Sequence, residues 1–326
     1  MIPKGEKMKI IIKLLITISL FVLLFHQFEI KLLSLVTEIN NWNYLLIAVC
    51  IRLTVVSFIS VNRWRFFLRV AGIRENFFVL WYINWISLFQ GLLLPSTQGF
   101  DVVRIYYIEQ RHPNKQGIAG STVFIERIIG IILLCLLSLV ALPFIIHSWD
   151  FLPLYLTIIA VSSMVFMALI LVLNKKIYKS YSGYKFKNKI MALVFSYIDK
   201  FHGAIVYFPY RKALPISLVW IAGFQLATVF VIYLIFCAYG YAIPFIQHVA
   251  IFPVIAILSM APITIGGFGV REGFFVFFYS LIGVPPTVAL GVSILQYIIL
   301  ILVPAALGGL LYLWESLRGS AIGYPK

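Results

Sequence analysis

Pro95-Ser96-Thr97-Gln98-Gly99-Phe100-Asp101-Val102-Val103-Arg104 and Pro262-Ile263-Thr264-Ile265-Gly266-Gly267-Phe268-Gly269-Val270-Arg271 each interrupt a pair of apolar runs. Proline, threonine, glycine and arginine recur in the two stretches at a constant offset of 167 residues. A proline ends the helix before it, because it has no N–H to donate and disfavours the helical conformation of the preceding residue. The glycines that follow let the backbone take positive φ or approach a neighbour closely. Each stretch therefore reads as the turn of a broken helical hairpin, 77–94 with 100–110 in the first case and 243–261 with 268–283 in the second.

The surrounding sequence states the solvent. Of 326 residues, 62% are apolar and 11% charged, which excludes a soluble domain. Runs at 10–28, 44–61, 128–146, 152–173, 213–239 and 288–314 are long enough to cross a hydrocarbon core of ~30 Å, which takes about 20 helical residues. The expected fold is an all-α polytopic membrane protein: one domain over 1–326, with six transmembrane helices and two broken hairpins. The repeat cores span 44–146 and 213–314, and a basic, amphipathic connector lies at 174–212. The hairpins are either re-entrant or pairs of short tilted crossings, with the same parity in both cases. A net charge of +15 would suggest nucleic acid in a soluble chain. Here it reports topology and anionic headgroups, and no nucleic-acid partner is expected. The lysines before the run 10–28 resemble a signal peptide, but no small-residue cleavage site follows, so a retained first helix is expected.

Basic loops remain in the cytoplasm. The segment 62–76 carries Arg63, Arg65, Arg69 and Arg74, and 174–189 holds six lysines, whereas 147–151, 240–248 and 284–287 have no Lys or Arg. This pattern predicts a protein integral to the cytoplasmic (inner) membrane with both termini in the cytoplasm, its two hairpins entering from opposite faces. The spans 44–61 and 213–239 then run in opposite directions. That is an inverted-topology repeat, in which discontinuous helices meet near the midplane and build a substrate site.

The chemistry of the breaks favours an anion. Backbone amides freed there need a partner, because an unsatisfied group in hydrocarbon costs several kcal/mol. A helix restarting after the break points its positive end into the gap, and Arg104 and Arg271 add full charges. Arg104 and Arg271 are expected on one anion, with Thr97 and Thr264 offering hydroxyls. The candidate substrate-binding residues are Thr97, Gly99, Asp101, Arg104, Glu126, Arg127, Thr264, Gly266, Gly267, Gly269, Arg271 and Glu272. Glu126 and Arg127 are placed at the cytoplasmic start of the span 128–146. The competing reading is that the prolines only kink helices and the arginines snorkel to an interface. Arg52, inside the second span, either pairs with Glu126 or faces the cavity. No catalytic residue, metal or cofactor is expected. Five scattered histidines read as interfacial, and Trp42, Trp64, Trp81, Trp149, Trp220 and Trp314 mostly as an aromatic belt.

Leu94-Pro95 running to Gly99, Asp101 and Arg104, then Glu126-Arg127, then Pro262 with Gly266-Gly267-Phe268-Gly269-Val270-Arg271-Glu272-Gly273 together resemble the lysylphosphatidylglycerol synthase transmembrane-region family of flippase-like integral membrane proteins. The resemblance covers nearly the whole chain. Its first motif departs from the more usual pattern, with Ser96-Thr97-Gln98 in place of a glycine and a basic residue. What the resemblance implies is lipid handling: flipping of an anionic phospholipid or a polyprenyl-phosphate-linked intermediate, alongside a lipid-modifying synthetase or glycosyltransferase. With a dozen residues after Trp314, this chain is not expected to carry a synthetase domain or to be an enzyme. The alternatives are a membrane glycosyl- or phospho-transferase acting on a lipid-linked substrate, and a non-catalytic partner of a lipid-modifying enzyme.

Overall fold

The computed structural model describes residues 37–94, 99–141, 208–260 and 267–317, together with Thr264 and scattered positions between 156 and 206. Eight main helices lie in the continuous stretches, and among the described residues there is no strand. They are α1 (Trp42–Val70), α2 (Phe77–Leu92), α3 (Gly99–Arg111), α4 (Ile118–Ala141), α5 (Tyr210–Ala238), α6 (Phe245–Leu258), α7 (Val270–Ser280) and α8 (Pro286–Leu317). Helices α1, α4, α5 and α8, of 29, 24, 29 and 32 residues, are long and apolar enough to cross a bilayer. Their outward faces carry Leu46, Phe58, Val219 and Leu310, all more than half exposed, a surface suited to lipid and not to water. The chain is an all-helical, polytopic, integral membrane protein.

These four helices take in the predicted runs 44–61 and 288–314, 213–239 up to Ala238, and 128–146 up to Ala141, the residues 142–146 lying outside the described ones. The run 10–28 lies outside the described residues, and 152–173 is described only at single positions. Two boundaries need correction. The basic segment 62–76 is not a loop throughout, because α1 continues to Val70, and α4 begins at Ile118, well before residue 128. The reason is that Arg63 and Glu126 pair with each other inside the protein, so both helices run on through charges that a hydropathy reading treats as surface.

The repeat is visible in the helix boundaries. The starts of α5, α6 and α8 each follow those of α1, α2 and α4 by 168 residues. Packing repeats as well: α2 lies against α8, and its counterpart α6 lies against α4, so each hairpin docks on the last helix of the other half. At the first contact a Cβ on Gly308 would stand 2.1 Å from the Trp85 carbonyl oxygen, so only glycine permits the approach. At the second, the Ser138 hydroxyl donates to the Ala250 carbonyl at 3.0 Å. The two halves are antiparallel, since the backbone N–H groups of Asn40 and Asn41, at the start of α1, donate to Ala238 O at the end of α5. Phe67, near the other end of α1, stacks on Phe208, just before α5.

The paired helices α2, α3, α6 and α7 have 16, 13, 14 and 11 residues. At 1.5 Å per residue the longest reaches about 24 Å, less than the hydrocarbon core. The open end of the first hairpin is clamped by Glu75, whose carboxylate accepts from Arg111 Nε at 2.7 Å and lies 2.9 Å from His112 Nε2. One histidine departs from the expected interface: His248 is fully buried, its Nδ1 3.0 Å from the Tyr279 hydroxyl.

Candidate functional site

Each hairpin meets its break differently. In the first, the arms touch backbone to backbone, and a Cβ on Gly91 would lie 2.5 Å from Phe100 N. Glycine is the residue this closeness admits. In the second, Gly267 and Gly269 have φ of 77° and 82°, a region that disfavours side chains. The chain re-enters α7 with Glu272 Oε2 accepting the Gly269 N–H at 2.6 Å, while the other carboxylate oxygen takes Arg271 Nη2. Glu272 is fully buried and uses both oxygens, so it fixes the helix start and the arginine together. Arg271 is held over the ring of Tyr297, 4.6 Å from its centroid, and its Nε has no partner among the described residues.

Around the first hairpin the charges form a chain of contacts. Asp101, in the first turn of α3, bridges Arg104 at 2.8 Å and Arg127 at 2.7 Å. Glu126 bridges Arg63 at 2.6 Å and Arg104 at 3.5 Å. Arg63 is seven residues from the end of α1 and Glu126 eight from the start of α4, so both lie about 10 Å inside the ends of their helices. Arg104 is only 1% exposed, and its Nε and Nη1 have no partner among the described residues. Its guanidinium carbon stands 5.2 Å from the ring centroid of Trp64 and 4.8 Å from that of Phe100. Trp64 is buried under this arginine and is not part of an interfacial belt.

Two adjoining cavities open between the hairpins. The first, about 350 Å³, is lined by Gly91 and Gly99 from one break, Ser259 and Gly267 from the other, and Arg127 and Arg271. The second, about 340 Å³, is lined by Arg52, Arg63, Arg104, Arg127, Glu126 and Asn84 among others. Phe100, Arg127, Met260 and Gln296 belong to both linings.

The structure thus brings Gly99, Arg127, Gly267 and Arg271 to the first cavity, and Arg104, Glu126 and Arg127 to the second. Asp101 and Glu272 hold arginines without lining either space, and Gly269 caps α7. Thr264 is buried outside both linings, its hydroxyl without a partner among the described residues. Thr97 and Gly266 lie outside the described residues. The expected pairing of Arg104 with Arg271 is divided: they line neighbouring cavities, and Arg127 is the arginine common to both. Glu126 and Arg127 sit well inside α4, not at its start.

The sequence reading passed over Arg63, Asn84, Gln296 and Tyr297. Arg63 was hidden by its basic neighbours. Asn84 and Gln296 did leave a signal, as lone amides inside apolar helices, where a polar group needs a reason. Arg52 answers to the cavity alternative, and Glu126 pairs with Arg63 instead. Pro304 lacks the N–H that the Leu300 carbonyl would meet in an α-helix, α8 takes a π-turn over Ile298–Leu302, and Arg52 Nε donates to that carbonyl at 2.8 Å. Among the described residues no three His, Cys, Asp or Glu side chains gather in a way that would hold a metal.

Comparison with known proteins agrees with this architecture. A UPF0104 membrane protein of Methanocaldococcus jannaschii is 24% identical over 283 residues, covering 82% of this chain and 84% of its own. Two UPF0104 membrane proteins of Methanothermobacter thermautotrophicus are each 23% identical, covering 76% and 81% of this chain and 76% and 83% of their own. No solved structure matches the chain. The glycine-rich breaks and their arginines fall inside residues 10–308, which match the family described as lysylphosphatidylglycerol synthase TM region, and the chain belongs to that family.

Proposed function

We propose that the protein flips an anionic phospholipid, or a lipid-linked phosphate, across the cytoplasmic membrane, with the phosphate held between Arg127 and Arg271 in the first cavity. The observation that carries this reading is the composition of that cavity. One arginine comes from each inverted half, the walls are the two helix breaks, and Arg271 keeps a buried donor without a partner among the described residues. A buried guanidinium is costly in hydrocarbon, so an unfilled donor there favours an anionic ligand. The rim supports a lipid over a free anion, because Leu92 and Leu94 line the cavity and are themselves exposed, giving an acyl chain an apolar exit.

Each residue then has a role. Arg271 grips phosphate oxygens with a planar fork, and Glu272 fixes the direction of that fork. Arg127 is half-exposed and shares Asp101 with Arg104, so it can turn toward a phosphate while Asp101 keeps its other partner. Inverted halves exchange access by rocking against each other around a central site.

The test is lipid movement in reconstituted vesicles. Arg271→Ala should lose nearly all of it at equal incorporation, and Arg271→Lys should retain part. Full activity of the alanine variant would assign this residue to snorkelling and remove the proposed site. The lipid should also keep its mass when the purified protein is incubated in detergent with candidate donors; a new lipid species would establish an enzyme instead.

A further inference from the structure

The second cavity contains more positive charge than its acids balance. Arg52, Arg63, Arg104 and Arg127 line it, and the carboxylates that pair with them among the described residues are Asp101 and Glu126. Arg52 has no carboxylate partner among the described residues; its Nε meets the Leu300 carbonyl and its Nη1 the Ser57 hydroxyl. Four guanidiniums against two carboxylates leave a surplus within a membrane domain, where uncompensated charge is strongly unfavourable.

Geometry points the same way. Arg104 is buried almost completely, yet among the described residues two of its donors are unused, and so is the Nε of Arg63. Such a set of unused guanidinium donors is expensive to bury empty, and it matches an anion with several acceptor oxygens. The wall between the cavities contains Arg127, which lines both. One guanidinium with an anionic site on each side suits two phosphates joined through a shared oxygen.

We propose that the second cavity holds the second phosphate of a diphosphate-linked lipid, whose first phosphate lies between Arg127 and Arg271. This rests on the transport reading and narrows its substrate class: the headgroup carries two linked phosphates, and a lipid with a single phosphate fills only half of the site. Arg104 and Arg63 bind the second phosphate, and Arg127 contacts both.

The experiment uses the full chain in nanodiscs of neutral phosphatidylcholine, titrated separately with farnesyl diphosphate, farnesyl monophosphate and inorganic pyrophosphate. The diphosphate lipid should bind about tenfold or more tightly than the monophosphate lipid, the value of one or more charge-assisted hydrogen bonds. Inorganic pyrophosphate should bind far more weakly than farnesyl diphosphate. Arg104→Gln should abolish the preference by weakening binding of the diphosphate lipid far more than binding of the monophosphate lipid. Asn84→Asp tests the surplus even if Arg104→Gln does not fold: it supplies the missing negative charge, so the preference should vanish and the thermal midpoint of the ligand-free protein should rise. Equal affinity for the two lipids, with both lost in Arg271→Gln, would overturn the diphosphate assignment and leave the transport reading standing. No binding of either lipid would sink both. Pyrophosphate binding as tightly as farnesyl diphosphate would show a soluble-anion site and overturn the lipid-linked class. An unchanged preference in Asn84→Asp would show that the surplus charge has no such role.

Discussion

The two hairpins share a backbone plan and handle charge in opposite ways. In the first half, Arg63, Asp101, Arg104, Glu126 and Arg127 form one connected network over three helices. Moved by 167 residues, these positions fall on Phe230, Phe268, Arg271, Ser293 and Ile294, so only Arg104 has a charged counterpart. That counterpart brings its own acid, Glu272, as its immediate neighbour. The difference teaches that an inverted repeat preserves the breaks, which are a backbone matter, while the charges are free to diverge. The second half presents one arginine in a fixed direction. The first holds several in a network whose members can exchange partners.

Some experiments would break this comparison outright. With Cys50, Cys135 and Cys237 removed, Lys115→Cys, between the first hairpin and α4, should label from one face of the membrane only. Pro285→Cys, at the equivalent place in the second half, should label from the other face only. Labelling of both from one side would remove the inverted repeat and the shared site with it.

A smaller but still large effect is expected at Glu126. Removing it by Glu126→Ala leaves Arg63 buried without its carboxylate and Arg104 with Asp101 alone, which should cost about 3–5 kcal/mol of stability, measured as unfolding in detergent. Crossing this variant with changes in both halves sharpens the contrast. Glu126→Ala should be strongly non-additive with Arg104→Gln, which shares its network, and additive with Arg271→Gln, which does not. Strong coupling between the halves would mean that their charges act as a single network.

The hairpin glycines should differ more modestly. Gly91→Ala drives a methyl group against the backbone of Phe100 and should cost about 1–3 kcal/mol, the usual result of overpacking. Gly273, inside α7, has nothing within 4 Å of its added Cβ. Gly273→Ala should therefore stabilise slightly, by up to about 1 kcal/mol, through helix propensity. Equal costs at the two positions would show that the arms of both hairpins pack alike.

How much of this was legible beforehand varied with the range of the interaction concerned. The apolar runs, the two proline and glycine breaks and their common offset are local patterns. A bilayer accepts few solutions for a backbone that must satisfy its own hydrogen bonds, so local pattern led to an all-helical membrane fold and to a site at the breaks. Arg271 with Glu272 was equally readable, since the two are adjacent in sequence. Arg63 was not: among Arg65, Arg69 and Arg74 it looks like a topology signal, and only the packing of α1 on α4 turns it inward to Glu126.

By itself, then, the sequence determined the solvent, the helices, the breaks and the repeat, because each depends on residues within one or two helical turns or on a fixed offset between them. Tertiary structure decided which charge meets which. It separated Arg104 from Arg271, made Arg127 the residue common to both cavities, and gave the carbonyl orphaned by Pro304 to Arg52, 248 residues from its acceptor. Those outcomes depend on how antiparallel halves dock across each other, and the charge on an arginine is the same whether its helix turns it toward lipid, water or a carboxylate.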